Sequence, residues 1–283
     1  MFADLDAMTG RVLAAVERGD PPEARALRFL LREYRDGERG DLADPLGVAL
    51  AAALDCYADD TATFARAEWL RLFTEAAAIS DDARVSDSAR SLIADLAAEW
   101  PTLIAVGDAS TSIDACLGAL PLADAERIVP LAVDHIERVV GGAYRPGLGV
   151  VHALGDRSQA RGTPADQVLA ASALLTAFEI TGRLPYSMLA EELMQLSRGD
   201  VEVTADLAVG CGAVAVWCRL AALHDDAAYR GAAVIAESAD YDADACRMLE
   251  RIAARVDTTS DAAVYGIAIG EWRARAHARG ETP

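Results

Sequence analysis

Two residues with acid-base chemistry lie close together in the middle of the chain. His152 belongs to a Gly-rich segment, residues 141 to 163, and Asp166 follows in the first turn of a predicted helix. Because a free histidine has a pKa of about 6.5, it exchanges protons at neutral pH, so His152 is a candidate general acid or base. Asp166 is the second candidate catalytic residue. The structural alternatives are a loop-bracing histidine and a carboxylate that stabilises its own helix, and Asp206, in a similar first turn further on, favours the latter.

Six further residues are candidates for contact with a polar ligand. Arginine offers forked donors to a polar or anionic group, and an aromatic ring stacks against the face of a sugar. In an acidic chain, however, an arginine also pairs with neighbouring carboxylates, and a tryptophan in an apolar helix is typical of a core. The candidate binding residues are Tyr144, Arg145, Asp156, Arg157, Gln167 and Trp217.

The sequence lacks the spacings of common metal sites. Cys211 and Cys218 lie on one predicted helix, where a rise of 1.5 Å per residue separates them by about 10 Å, too far to share a zinc ion. Adjacent aspartates at 59–60, 81–82 and 225–226 fall at helix turns and none extends to DDxxD, which is typical of solvated turn carboxylates. We therefore expect no metal ion.

Several catalytic motifs are also missing from the sequence. It contains no G-x-S-x-G elbow, no Gly-rich phosphate loop and no G-x-G-x-x-G between a strand and a helix. All of its basic residues are arginine, which excludes a lysine Schiff base and a P-loop lysine. We therefore expect no cofactor.

Charge and composition restrict the class of protein and its partners. With 53% hydrophobic residues among 283, the chain can bury a large core. Its net charge of −19 repels nucleic acid and anionic membranes. The acidic N-terminus and the short apolar stretches predict neither a signal peptide nor a membrane span, and the cysteines, without CxxC spacing, are typical of reduced core residues. We therefore expect a cytoplasmic protein that binds neither nucleic acid nor membranes.

The clearest predicted element is a helical hairpin over residues 164–194, directly after the Gly-rich segment. Thr163 is a predicted N-cap and Gly182 a stop, with apolar residues at three- and four-residue spacing on both helices. Tyr186 leads the second helix, and Gly199 is predicted to end it. The pattern indicates one helix on each side of a tight turn.

Similar hairpins recur along the chain. Tyr229 leads a predicted helix 43 positions after Tyr186, and Phe64 takes the same place 122 positions before Tyr186. A repeat of about 40 residues, whose hairpins cannot bury an apolar face alone, predicts stacked hairpins in an array or a closed ring. Strand patterns are scarce. We predict an all-α fold of antiparallel hairpins, an (α/α) toroid of about six hairpins, as one domain over residues 1–283.

Residues 136–240 also resemble a known family. The runs GGAYRPGLGVVHALGD, PADQVLAASALLTAFEITGRLPYSMLAEELM and GAVAVWCRLAALHDDAAYRGAA are similar to the C-terminal helical half of bacterial thioredoxin-domain proteins of the spermatogenesis-associated thioredoxin-like family. That half is similar in turn to the toroids of N-acylglucosamine 2-epimerases and many glycosidases. The resemblance implies a ring of inner and outer helices with a ligand funnel at one end. The thioredoxin domain and the paired histidines of the epimerases have no counterpart in this chain.

Two functions from different classes are consistent with these patterns. The first is a toroid that binds, and processes, a small polar molecule of carbohydrate type at residues 141 to 167, with sugar isomerase, epimerase or glycoside-acting chemistry by analogy of fold. The alternative is a non-catalytic helical scaffold that binds a protein partner or a second copy of itself. A closed ring with a polar pocket favours the first, and an open array with an apolar surface patch favours the second.

Overall fold

The computed structural model describes residues 4–156 and 160–280, and these residues are predominantly helical. The predicted all-α class is confirmed. Between some helices lie short 3-10 turns, and two strands, β1 (Tyr144–Arg145) and β2 (Gly149–Val150), form one small antiparallel hairpin. The α-helices of the described residues are α1 (Leu5–Glu17), α2 (Ala24–Asp36), α3 (Ala43–Cys56), α4 (Thr63–Ala77), α5 (Ala83–Glu99), α6 (Val106–Gly118), α7 (Ala125–Ala143), α8 (Pro164–Thr181), α9 (Leu184–Val203), α10 (Leu207–Asp225), α11 (Ala227–Ala232), α12 (Tyr241–Ala253) and α13 (Thr259–Ala278).

Among these, α2, α4, α6, α8, α10 and α13 pack side by side in a closed cycle. Each contacts the next one in chain order, and α13 closes the cycle by packing against α2. Another six helices lie outside, each against one or two of the inner helices: α1, α3, α5, α7, α9 and α12. The described helices therefore form the closed (α/α) ring that the hairpin pattern predicted, and not an open array.

The inner helices run in one direction, because after each of them the chain returns through an outer helix. Side-chain contacts agree with this arrangement. Arg71 lies about two turns into α4, and its guanidinium bonds to Asp114, which lies about two turns into α6. The N-termini of the inner helices thus share one end of the ring, called the N-terminal end below.

The ends of α8 follow from its sequence. The hydroxyl of Thr163 accepts the N–H of Asp166, whose carboxylate accepts the N–H of Thr163 in return, which is a capping box, and Pro164 occupies the first turn. Gly182 ends the helix in the left-handed conformation with φ 68°. The predicted cap and stop of α8 are confirmed.

The predicted stop at Gly199 is wrong. Helix α9 continues through Gly199 to Val203. A single glycine inside a helix costs only about 1 kcal/mol, and Val201, which is fully buried, stabilises the last turn by packing.

In its described residues, 144–156 and 160–163, the Gly-rich segment is non-helical after α7 ends at Ala143. The strands β1 and β2 pair within the segment, although the sequence carries no strand pattern there. Gly149 in β2 has φ 87°, and a β-carbon at this position would lie 2.4 Å from Oε1 of Gln167. Glycine is therefore needed both for the backbone conformation and for the close approach of Gln167.

The regular 40-residue repeat is only partly present. The inner helices begin 39 to 58 residues apart, with the longest gap before α8, where the Gly-rich segment is inserted. Phe64 lies at the start of the inner helix α4, whereas Tyr186 lies at the start of the outer helix α9. Their predicted equivalence is therefore wrong, because aromatic residues close both kinds of turn and do not distinguish inner from outer helices.

The core of the ring is one cluster of buried apolar side chains that extends from Met8 to Ile269. Within the described chain, α10 (Leu207–Asp225) is the one helix long and apolar enough to cross a membrane by length and composition, and 56% of its most apolar window is buried. It is an inner helix of the ring. A buried core helix meets the same length and composition criteria.

Candidate ligand-binding cavity

A cavity of about 280 Å³ lies in the middle of the ring. All six inner helices contribute to its wall, and it reaches the N-terminal end of the ring, where Arg25, Phe64 and Ala208 stand in the first turns of their helices. Its charged and hydroxyl side chains are Arg25, Arg28, Glu68, Arg71, Asp114, Ser172, Arg219 and Glu271. Polar groups thus line a space that all six inner helices enclose.

Arg71 is the centre of the polar network in this wall. Its guanidinium donates to Oε1 of Glu68 at 2.7 Å, to Oδ2 of Asp114 at 2.9 Å and to Oγ1 of Thr111 at 3.2 Å. Burial alone would raise the pKa of both carboxyls, but the charge of Arg71 lowers both pKa values below the ordinary range. The two carboxylates are therefore ionised at neutral pH and held in fixed positions.

Asp114 also connects the α6 side of the cavity with α8 and α10. It accepts hydrogen bonds from Oγ1 of Thr176 at 2.6 Å and from Oγ of Ser172 at 3.2 Å. Arg219 of α10 donates to Oγ1 of Thr176 at 2.9 Å. Three neighbouring inner helices are thus joined by one chain of donors and acceptors inside the ring.

A second cluster of charges joins α2, α4 and α13. Glu75 accepts Nε of Arg28 at 2.7 Å and Nη2 of Arg32 at 2.8 Å. Nη1 of Arg32 reaches Glu271 of α13 at 2.6 Å. Burial alone would raise the pKa of Glu75, but the hydrogen bonds and charges of Arg32 and Arg28 lower it to about 2.

His152 and Asp166, the two candidate catalytic residues, are in direct contact. Nδ1 of His152 lies 2.9 Å from Oδ2 of Asp166. The histidine side chain is 66% exposed, whereas the carboxylate is 4% exposed. The hydrogen bond that His152 donates to Asp166, followed by the charge of Asp166, raises the pKa of His152. A buried, fixed carboxylate therefore orients an accessible imidazole and favours its protonated form.

This pair lies at the N-terminal end of the ring, beside the cavity and not among its lining residues. The carbonyl of His152 accepts the N–H of Val106, the first residue of α6, at 2.9 Å. A β-carbon at Gly107 would lie 3.2 Å from Oδ1 of Asp166 and 3.4 Å from Cδ1 of Leu169, which does line the cavity. Gly107 thus lies next to both Asp166 and a residue of the cavity wall, Leu169.

The other candidate binding residues are bonded to the protein itself. Oη of Tyr144 donates to Glu192 of the outer helix α9 at 2.7 Å. Arg145 donates to the carbonyls of Gly142, Tyr144 and Asp156. The structure thus places Tyr144, Arg145 and Asp156 within the Gly-rich segment and its contacts with α7 and α9, away from the cavity lining.

Gln167 and Trp217 are buried. The amide of Gln167 accepts the N–H of Val150 at 2.9 Å and donates to its carbonyl at 2.7 Å, so it pairs with β2 as another strand would. Trp217 is 1% exposed, within the core. Arg157 lies outside the described residues.

Sequence reasoning missed the arginines of α2 and the carboxylates that face them. The available signal was the spacing of Arg25, Arg28 and Arg32 at three and four residues, which places them on one face of a helix. In an amphipathic helix such a face is normally assigned to solvent. In the closed ring, α13 and α4 pack on either side of α2. The arginine face of α2 therefore lies on the inside of the ring.

No group of three or more His, Cys, Asp or Glu side chains within residues 4–156 and 160–280 is arranged to hold a metal ion. Burial raises the pKa of Cys211, which also lines the cavity, to about 12. This thiol is therefore protonated at neutral pH and a poor nucleophile.

Comparison with known proteins identifies no family for this chain. No family model matches the chain, and no curated protein matches its sequence. The chain is therefore described by its fold and by this cavity.

Proposed function

We propose that this chain is a toroid protein that binds, and processes, a small polar molecule of carbohydrate type in the central cavity. The observation that carries the proposal is the lining of that cavity by charged and hydroxyl side chains from all the inner helices. A volume of about 280 Å³ is near the lower limit for ligand pockets and suits a molecule of monosaccharide size or smaller. The cavity differs from the site predicted at residues 141 to 167, because none of the described residues in that range is among its lining residues.

The chemistry of the lining supports a ligand that carries several hydroxyl groups. Glu68 and Asp114 are acceptors, while Arg71 and Arg219 are donors, and the hydroxyl of Ser172 is both. Because these groups already bond to one another, their positions are set before a ligand arrives. Such preorganisation lowers the entropic cost of binding.

We assign the acid-base role to His152, with Asp166 orienting its ring. Nδ1 is engaged by Asp166, so Nε2 is the ring nitrogen available to a ligand at the N-terminal end of the ring. Proton transfer of this kind serves sugar isomerisation, epimerisation and glycoside cleavage. The reaction class is proposed by analogy of fold, as is the relationship to the thioredoxin-like family and the epimerase toroids. The free cysteines support a cytoplasmic location.

A thermal-shift screen tests the binding proposal. The purified chain is heated with monosaccharides, sugar acids and sugar phosphates, because a ligand that binds only the folded state raises the melting temperature. We expect a shift with at least one compound that decreases in Ser172→Ala, inside the cavity, and persists in Ser91→Ala, on the exposed side of α5. A panel without any shift, or an equal shift in both variants, contradicts the proposal.

The alternative, a scaffold that binds a protein partner or a second copy, has one feature in its favour. A groove of about 500 Å³ between α1, α3 and the start of α13 is lined mainly by small apolar residues, and Val48 at its edge is 73% exposed. If this groove is an interface, Val48→Glu abolishes a dimer or a pull-down partner and leaves ligand shifts unchanged. Light scattering of the wild type and of the Val48→Glu variant measures whether each is a monomer or an oligomer.

A further inference from the structure

Arg25 and Arg28 differ from the other arginines of the cavity wall in which guanidinium nitrogens contact the protein. Nε of Arg25 lies 3.1 Å from Oε2 of Glu68, and Nε of Arg28 donates to Oε1 of Glu75 at 2.7 Å. In both cases the protein engages the Nε side of the guanidinium. Within the described residues, the terminal nitrogens of Arg25 and Arg28 donate no hydrogen bond.

The remaining arginines of the ring interior use their terminal nitrogens on the protein. Nη1 and Nη2 of Arg71 bond to Glu68, Thr111 and Asp114. Those of Arg219 bond to Ser172 and Thr176. The terminal nitrogens of Arg71 and Arg219 thus already bond to the protein, whereas those of Arg25 and Arg28 donate no hydrogen bond within the described residues.

Arg25 and Arg28 also line the same space. They lie three residues apart on α2, so they occupy one face of that helix, and both line the cavity. Their side chains are 25% and 17% exposed, and Arg25 is held further by the ring of Phe64, 4.7 Å from its Cζ. The two guanidinium groups are thus partly shielded from water and fixed on the side of Nε.

The charge balance of the lining is positive although the chain is strongly acidic. Four arginines face three carboxylates in the wall of the cavity, in a chain of net charge −19. Burial and the neighbouring charge of Arg32 lower the pKa of Arg28. Glu75, outside the lining, accepts a hydrogen bond from Arg28, so an added anion would be held by the terminal N–H groups of Arg25 and Arg28 and not by an uncompensated positive charge.

We propose that the ligand of this cavity carries an oxyanion, a carboxylate or a phosphate, that is bound by the terminal nitrogens of Arg25 and Arg28. A planar or tetrahedral oxyanion accepts two parallel N–H bonds from the end of each guanidinium. The hydroxyl-bearing part of the ligand then faces Glu68, Asp114 and Ser172. This inference rests on the proposed function and narrows its substrate class from polar molecules to small hydroxylated acids or phosphate esters.

Isothermal titration of the full chain with matched probes tests this proposal. The probes are glucose, glucuronate, glucose 6-phosphate and inorganic phosphate at one ionic strength. We expect at least one anionic probe to bind tenfold or more tightly than glucose, and the carboxylate and phosphate arms identify which oxyanion is preferred. Glucose binding as tightly as its anionic relatives overturns the oxyanion assignment and leaves the proposed function standing. Binding of phosphate without binding of any sugar overturns the proposed function and leaves the oxyanion assignment standing. If no probe binds, the proposed function and the oxyanion assignment are both overturned.

Variants of α2 locate the binding site. Arg25→Gln and Arg28→Gln are each expected to weaken anion binding at least tenfold and to weaken glucose binding by a clearly smaller factor. Arg35→Gln is the matched control, because Arg35 lies on the same helix, is 41% exposed and pairs with Asp36. If Arg28→Gln fails to fold, Arg25→Gln at the N-terminal end, whose melting temperature is measured in parallel, carries the test alone. A folded Arg25→Gln variant with unchanged anion affinity overturns the assignment.

Discussion

Gly266 of α13 lies directly against the ring of Phe29 of α2, at the seam where the last inner helix meets the first. A β-carbon at Gly266 would lie 2.3 Å from Cε2 of Phe29. Phe29 itself is 1% exposed. The ring of helices therefore closes around the side chain of Phe29, which fits only because Gly266 has no side chain.

Gly266→Ala is expected to destabilise the fold by about 1–3 kcal/mol, since the added methyl overpacks the seam. Urea denaturation measures the change. Gly270→Ala, one turn further along the same helix with nothing within 4 Å of the new β-carbon, is the control and should stabilise by up to about 1 kcal/mol. Adding Phe29→Leu should restore part of the loss in Gly266→Ala. Equal effects of the two alanines would show that the seam is not the cause.

Glu191 of the outer helix α9 holds the segment between α11 and α12. Its carboxylate is fully buried and accepts hydrogen bonds from Nε2 of His224 at 2.9 Å, from Oη of Tyr241 at 2.9 Å and from the N–H groups of Ile235 and Ala236 at 2.9 and 3.3 Å. Glu191→Ala leaves these donors buried without an acceptor. We expect a loss of about 3–5 kcal/mol, with faster amide exchange in residues 233–240.

The adjacent Glu192→Ala provides the comparison for that variant. Glu192 is half-buried and accepts Oη of Tyr144. Its replacement should cost about 1 kcal/mol and leave amide exchange in residues 233–240 unchanged. Similar exchange rates in both variants would contradict the role given to Glu191.

His152 should titrate above its ordinary pKa of 6.5, because Asp166 stabilises the imidazolium. An NMR titration of its ring protons measures this pKa directly. Asp166→Asn should return the pKa to about 6.5 or below. Thr163→Ala, which removes the cap of α8 at a cost of about 1 kcal/mol but keeps the carboxylate, should leave the pKa raised.

The same shift has a defined sign for stability. A pKa raised in the folded state contributes stability fully below the unfolded value of 6.5 and loses it as the pH rises through the folded pKa. The difference in melting temperature between the wild type and Asp166→Asn should therefore be larger at pH 5.5 than at pH 9, apart from the constant loss of the cap. A difference independent of pH would mean that His152 gains nothing from Asp166.

Glu75 should control the acid stability of the ring. Its pKa is about 2 in the folded protein against an ordinary 4.5, so the contribution of its pairs is present above pH 4.5 and is lost as the pH falls to about 2. A shift of this size corresponds to about 3 kcal/mol. Denaturation at several pH values should show a shallower acid slope for Glu75→Gln than for the wild type, whereas the exposed Glu126→Gln should keep the wild-type slope.

Much of the local structure could be predicted from the sequence, because it depends on neighbours along the chain. The cap at Thr163, the stop at Gly182 and the helical periodicity between them require only residues a few positions apart. The all-α class follows from the same patterns repeated along the chain. Local rules failed at Gly199, where packing of Val201 carries the helix onward.

The candidate site depends on contacts between residues that are far apart in the sequence, and local sequence patterns do not predict such contacts. His152 and Asp166, 14 positions apart, were identified from the sequence, and the structure brings them into contact. The cavity, in contrast, requires α2 and α13, from opposite ends of the chain, to meet. The sequence by itself determined which segments are helices and which residues cap them. Only the tertiary structure decided which faces point inward, because ring closure turns the charged face of α2, with Arg25 and Arg28, from solvent toward the centre of the ring.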